Sequence, residues 1–245
     1  MRNVYLTDGS DCGFFTAVFD AYKDLSAYLS CDDAFQAELG DCFISVAPDP
    51  LKARRVVEKL KKTDPKSLSE LDYILRTPYT GKQQTAFLYL KAIVQNGAPV
   101  REQMQKEEVR TALDLVKRVA YERHRFTGFL RFHETANGVY YAPFSPDHDI
   151  VDLLMPHFFA RFQKTPFIVH DTQRKTAGIS NGNDWIVTPA GEAVVRYSES
   201  EDEFLQLWKQ YYDAVYIPSR KNERQMKNYM PVRYWKFMPE KNGST

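Results

Sequence analysis

The chain has 245 residues, 43% hydrophobic and 27% charged, with a formal net charge of +1. That is material for one large domain or two small ones with a proper core, and it excludes disorder along the whole length. A nearly neutral chain has no global attraction to nucleic acid or to a membrane surface, so any such binding must come from a local patch. Cys12, Cys31 and Cys42 are odd in number and out of C-x-x-C spacing, which argues against a disulfide framework and a cysteine zinc site. The opening MRNVYLTDGSDCGFF carries charge and glycine where a signal peptide needs an apolar run. No apolar stretch approaches the roughly 18 residues that span a bilayer. A cytoplasmic protein without a membrane partner is the expectation.

In chain order, residues 3–7 read as a strand, and the helix after them is capped by Asp8 or Ser10, with Phe14, Val18, Tyr22 and Leu25 at helical spacing. CFISVA at 42–47 is a strand. LKARRVVEKLKKT and SLSELDYIL are helices, the second with Ser67 and Glu70 in capping-box spacing. Helices follow at 82–95, with Ala86, Leu90, Ile93 and Val94 on one face, and at 105–124, with Val109, Ala112, Leu113, Val116 and Val119 on another. The period then changes. GFLRFHE, VYYAPF, PFIVHD, DWIVTP and EAVVRY are short, aromatic and β-branched, several of them separated by Asn-Gly or Pro. Helices at 147–163 and 200–214 interrupt or follow them. The spacing predicts an α+β fold, mostly helical in the N-terminal half, with an antiparallel sheet and helices in the C-terminal half. GAPVREQM near 98–105 is the expected subdomain boundary, dividing 1–100 from 101–238, with a disordered tail at 239–245.

Residues 131–154 gather two histidines, four acidic groups and several aromatics. Asn137-Gly138 is a strong hairpin signal. With those two residues as the loop, Ala136 pairs with Val139, Glu134 with Tyr141, His133 with Ala142 and Arg131 with Phe144. Alternation along a strand then sends His133 and Glu134 to opposite faces and breaks any His-Glu dyad. Arg131 and His133 would share a face with Tyr140 and Phe144. In SPDHD, Ser145 or Asp147 can cap the next helix and Pro146 suits its first turn. His157 falls on the Ile150/Leu153/Leu154 face and reads as a core histidine. His170-Asp171 ends a strand, where either a site or a hydrogen-bonded turn is possible. H-x-H, H-E-x-x-H, P-loop, dinucleotide and G-x-S-x-G motifs are all missing. Neither metal nor cofactor is expected.

SRKNERQMKNYMPVRYWK, 219–236, carries Arg220, Lys221, Arg224, Lys227, Arg233 and Lys236 against the single acid Glu223. Tyr229, Tyr234 and Trp235 are interleaved with them. Cations attract phosphate and flat rings stack on unpaired bases, so this is the composition of a nucleic-acid surface. The plainer reading is a solvated helix followed by an aromatic anchor that docks the C-terminus.

RFTGFLRFHETANGVYYAPFSPDHDIVDLLMPHFFARF, PFIVHDTQR, the ending MPVRYWKFMPE and the opening YLTDGSDCGFFTAVFDAY together resemble a bacterial family of unknown function. Its members are described as proteins of DNA metabolism or DNA repair, and the likeness runs nearly end to end, which implies a single family domain over 1–245. The family is typically encoded beside a radical-SAM protein and is sometimes fused to a uracil-DNA-glycosylase-like domain. The resemblance therefore implies DNA repair and one of those enzymes as partner. This chain has neither the cysteine cluster of the first nor a recognisable domain of the second, so it would be the accessory component. In that role Arg220, Lys221, Arg224 and Lys227 would hold phosphates of single-stranded or distorted DNA. Arg233 and Lys236 would add to the field, and Tyr234 and Trp235 would stack or anchor. A rival is an enzyme acting on a nucleic-acid base or small substrate, with Arg131, His133, His170 and Asp171 in one cleft of the C-terminal sheet. A third is a protein-interaction subunit whose basic tail meets an acidic partner.

Overall fold

The computed structural model describes residues 1–31, 36–191 and 195–241, and its architecture is α+β. The chain divides into two compact units, Met1–Ala120 and Tyr121–Thr245. The division falls inside a long helix rather than at 98–105.

The first unit opens with β1 (Asn3–Leu6), α1 (Asp11–Ala21), β2 (Ala27–Ser30) and β3 (Cys42–Ser45), forming a parallel sheet in the order β2-β1-β3. The sequence pattern missed β2, a four-residue strand after a turn. Ser10 caps α1, its Oγ accepting the Gly13 N–H at 2.9 Å. Three helices follow: α2 (Pro50–Thr63), α3 (Lys66–Leu75) and α4 (Lys82–Asn96). Phe14, Leu60, Leu71, Ile74, Phe87, Leu90 and Ile93 close the core, each large side chain contributing about 1.5–3 kcal/mol on burial. The capping box expected at Ser67 and Glu70 does not form. Ser67 Oγ donates to the Asp64 carbonyl, while Glu70 is buried and accepts from Arg101 Nε at 2.6 Å and Tyr89 Oη at 2.6 Å. A carboxylate with those donors inside the fold has no reason to turn back to a helix end.

α5 (Glu107–Phe129) carries Val109, Ala112 and Leu115 into the first core and Glu122 and Phe126 into the interior of the second unit. It runs past the expected end at 124, so the strand expected over GFLRFHE shortens to β4 (His133–Glu134). β5 (Tyr140–Phe144), α6 (Val151–Phe162), β6 (Phe167–Asp171), β7 (Thr176–Ser180) and β8 (Trp185–Pro189) complete a five-stranded sheet in sequential order. β5 and β6 are parallel because α6 crosses between them, and the other pairs are antiparallel. Gly178 on β7 lets α6 lie close to the sheet, since a Cβ there would collide with Met155 and Val151. α7 (Glu201–Val215), a 3₁₀ turn at Pro218–Arg220, α8 (Glu223–Tyr229) and a second 3₁₀ segment at Val232–Phe237 end the unit.

The hairpin forms at Asn137-Gly138, but one residue out of the expected register. His133 pairs with Tyr141 and Glu134 with Tyr140. Gly138 has φ +72° and donates to the Thr135 carbonyl, while the Thr135 N–H reaches Val139. The loop is therefore three residues with glycine in the left-handed position, and the slip exchanges the faces. His133 now lies with Tyr141, not with Tyr140 and Phe144. Glu192, Ala193 and Val194 of the strand expected in EAVVRY lie outside the described residues; Tyr197 makes one antiparallel bridge to Thr135.

SPDHD does not cap α6, which begins only at Val151 without a side-chain cap. Instead the backbone N–H groups of Asp147 and His148 donate to Glu122 at 3.0 and 2.8 Å, and Arg174 holds the carbonyls of Pro146 and Asp147. His157 is exposed rather than in the core; His148, just before α6, is buried, its Nδ1 2.6 Å from Glu122 Oε2. Among the described residues no helix is long and apolar enough to cross a membrane.

Candidate nucleic-acid interface

The residues at 219–236 separate into two groups. Arg220, Lys221, Arg224 and Lys227 are exposed on the 3₁₀ turn and α8. Asn222 starts α8 by accepting the Gln225 N–H at 2.9 Å, and that short helix fixes the spacing of the cations. Three of the four, Arg220, Lys221 and Lys227, line an open groove of about 660 Å³. Arg224 lies outside it. Facing the cations are Tyr212 of α7, Tyr216 just past its end, Tyr229 at the end of α8, and Trp235.

Lys241 also lines the groove. Its ammonium sits 4.9 Å above the Tyr212 ring and 5.4 Å above the Trp235 ring, and it donates to Tyr212 Oη at 2.7 Å. Trp235 is half-buried, with its indole N–H on the Met230 carbonyl at 3.1 Å, so the ring is fixed in place while still lining the groove. Asp213 and Glu223 are the groove's acids, and Glu223 pairs with Lys221 at 3.0 Å across the surface. That ion pair raises the Lys221 pKa and lowers that of Glu223.

Arg233 and Tyr234 belong to the anchor. Tyr234 is 3% exposed, donates to Glu122 Oε1 at 2.8 Å and packs on Phe126 with ring centroids 4.4 Å apart. It is not offered to a base. Arg233 meets Asp147 at 2.5 Å and Glu122 at 3.5 Å, so its charge is matched within the fold. Lys236 is exposed and lies 5.2 Å over the Phe237 ring. Burial alone would raise the Glu122 pKa. Hydrogen bonds from the His148 ring, Tyr234 and the Asp147 and His148 N–H groups outweigh that and hold it at about 2.

The other four candidates do not gather in one cleft. Arg131 pairs with Glu240 at 2.5 Å and lies 5.4 Å over the Trp208 ring. His133 Nδ1 contacts Glu201 at 2.8 Å, and both line a recess together with Arg131, Trp208 and Phe204. His170 Nδ1 meets the Tyr141 hydroxyl at 2.7 Å in a separate cavity. Asp171, on the opposite sheet face, accepts from the Gln173 and Arg174 N–H groups and pairs with the Arg174 guanidinium at 3.0 Å, which makes it the organiser of a turn. Among the described residues no group of three His, Cys, Asp or Glu side chains could hold a metal ion.

Sequence reasoning missed Tyr212, Tyr216 and Lys241. Tyr212 was visible only as part of a helix rich in rings, Tyr216 lay just past that expected helix, and Lys241 lay in the segment expected to be disordered. Glu240 and Lys241 are in fact tied down, whereas residues 242–245 lie outside the described ones.

Fold and site together define an α+β protein with an open groove lined by cations and aromatic rings. The family model for DUF4130, a domain of unknown function, matches residues 80–240, well over half of the chain, and the chain belongs to that family. Comparison with curated proteins finds no match, and neither does comparison with solved structures.

Proposed function

We propose that this protein binds single-stranded or distorted DNA in the groove between α7, α8 and Trp235. It would act in the cytoplasm as an accessory factor of DNA repair or DNA metabolism. The observation that carries the reading is the pairing of Arg220, Lys221, Lys227 and Lys241 with Tyr212, Tyr216, Tyr229 and Trp235 around one open groove. Cations along such a groove follow the phosphates, and rings accept unstacked bases whatever their sequence. The repair role, and a radical-SAM or glycosylase-like enzyme as partner, rest on the family resemblance of the sequence.

The test is a fourfold charge reversal of Arg220, Lys221, Arg224 and Lys227 to Glu. The parent should bind a single-stranded oligonucleotide of mixed sequence with an affinity that falls steeply with salt. Each phosphate contact adds about 0.7 to the log–log slope, against about 0.9 on duplex. The variant should keep its fold by circular dichroism and lose that binding. A folded variant that binds as the parent does overturns the reading and leaves the basic segment as a surface for an acidic protein.

A further inference from the structure

One face of the C-terminal sheet packs against α6, and the other holds a feature that the groove does not use. Ile168 and Ile179 are register partners on β6 and β7 and make a flat apolar floor. Tyr141 and His170 stand beside it, lining a cavity of about 650 Å³ with Asn137 and Arg196 among its other walls. That volume falls within the range of about 300–1,000 Å³ common to small-molecule sites.

His170 is 4% exposed, and its ring is satisfied on one side only. Nδ1 meets the Tyr141 hydroxyl at 2.7 Å, while no described residue partners Nε2. Whichever tautomer is present, an imidazole has a donor or an acceptor at each nitrogen. A buried polar atom without a partner destabilises the fold unless something supplies the missing hydrogen bond. Burial, with Tyr197 nearby, raises the Tyr141 pKa and keeps the phenol neutral. The floor therefore suits a neutral flat ring, the Tyr141–His170 pair suits a ring edge that can donate and accept, and Arg196, exposed at the rim, suits an anion.

We propose that this cavity is a nucleotide-binding site, with the ring over Ile168 and Ile179, its polar edge at Tyr141 and His170, and its phosphate at Arg196. The nucleotide is either free or one residue of a strand. The inference rests on the cavity's chemistry and not on the groove.

The full chain would be titrated by calorimetry with each of the four 2′-deoxynucleoside 5′-monophosphates and with 2-deoxyribose 5-phosphate. ¹⁵N NMR of the histidine rings would be followed in parallel. For a free nucleotide, at least one monophosphate binds saturably and moves the His170 nitrogens, whereas the sugar phosphate does neither. Tyr141→Phe and the exposed Arg196→Gln should each weaken that binding about tenfold, the worth of one good hydrogen bond. For a nucleotide within a strand, the monophosphates leave His170 unmoved, a single-stranded oligonucleotide shifts it, and the same strand with abasic sites does not. If neither monophosphates nor strand move His170, or if both variants bind like the parent, the proposal is overturned. The fourfold charge reversal keeps the cavity intact and should retain monophosphate binding, so failure of the groove and failure of the cavity are separately visible.

Discussion

Residues 216–229 and 231–241 share a composition of cations and rings, yet they meet opposite surroundings. In the later stretch, Arg233 faces Asp147 and Glu122, Tyr234 is sealed against Phe126, and Met238 is 1% exposed. In the earlier stretch, Arg220, Lys221, Arg224 and Lys227 all face solvent, and three of them line a groove. A cation is structural when the fold places a buried acid opposite it, whereas an exposed pair such as Lys221–Glu223 is screened by water and leaves the cation open to an outside anion. The chemistry of the side chains is the same in both. What separates anchor from surface is the position of Glu122, which lies 112 residues away from Tyr234 in sequence.

Removing that carboxylate is the largest perturbation of the comparison. Glu122→Ala strips His148, Tyr234 and two backbone N–H groups of their acceptor inside the second unit. The expected loss is about 3–5 kcal/mol, typical of breaking a buried charged network from one side. Trp185, Trp208 and Trp235 all lie in the second unit, so tryptophan fluorescence during urea denaturation reads that unit directly. A loss below about 1 kcal/mol would mean that Glu122 does not hold the anchor.

Acid comes next in size. The folded pKa of Glu122, about 2, lies below its ordinary value of 4.5. A depressed carboxylate pKa contributes stability that is present in full above about pH 4.5 and lost as the pH falls towards 2. The amount is on the order of 3 kcal/mol. Urea midpoints measured between these limits should fall steeply in the parent and more shallowly in Glu122→Ala. Parallel curves would sink this assignment.

How much of this was legible in the sequence depends on how local the cause is. The helix at 82–96 follows from its apolar spacing and was expected within one residue. The hairpin was legible but its register was not, because Asn-Gly fits both a two-residue loop and a three-residue loop with glycine last. The start of α6 and the fate of Ser67 and Glu70 were set by carboxylate partners outside their own segments, which no window of sequence contains. The same holds for the site. Arg220, Lys221 and Lys227 showed as a basic run, but Tyr212 reaches the groove from another helix, Tyr216 from just past the end of that helix and Lys241 from beyond the run.

Trp235 and Tyr234 are neighbours, one on each side of the comparison, so substitutions there should separate in two assays. Trp235→Ala removes a ring that lines the groove, and should cost about 1–3 kcal/mol in single-strand affinity if a base stacks there. Binding that is unchanged in a folded Trp235→Ala variant would remove Trp235 from the interface.

The smallest effect expected, and the sharpest test, is Tyr234→Phe. It keeps the ring against Phe126 and Phe129 and deletes only the hydroxyl that donates to Glu122 at 2.8 Å. A hydrogen bond to a charged acceptor contributes about 1.5–3 kcal/mol; the low end, about 1.5 kcal/mol, applies because Glu122 keeps its other donors. With one donor fewer the Glu122 pKa should rise from about 2, so the acid transition of the variant should move to higher pH. Single-strand affinity and its salt slope should stay as in the parent, because the hydroxyl is spent inside the fold and never reaches the groove. A Tyr234→Phe variant with unchanged stability and weakened binding would reverse the assignment: Tyr234 would belong to the surface, and the division between anchor and groove would have to be drawn elsewhere.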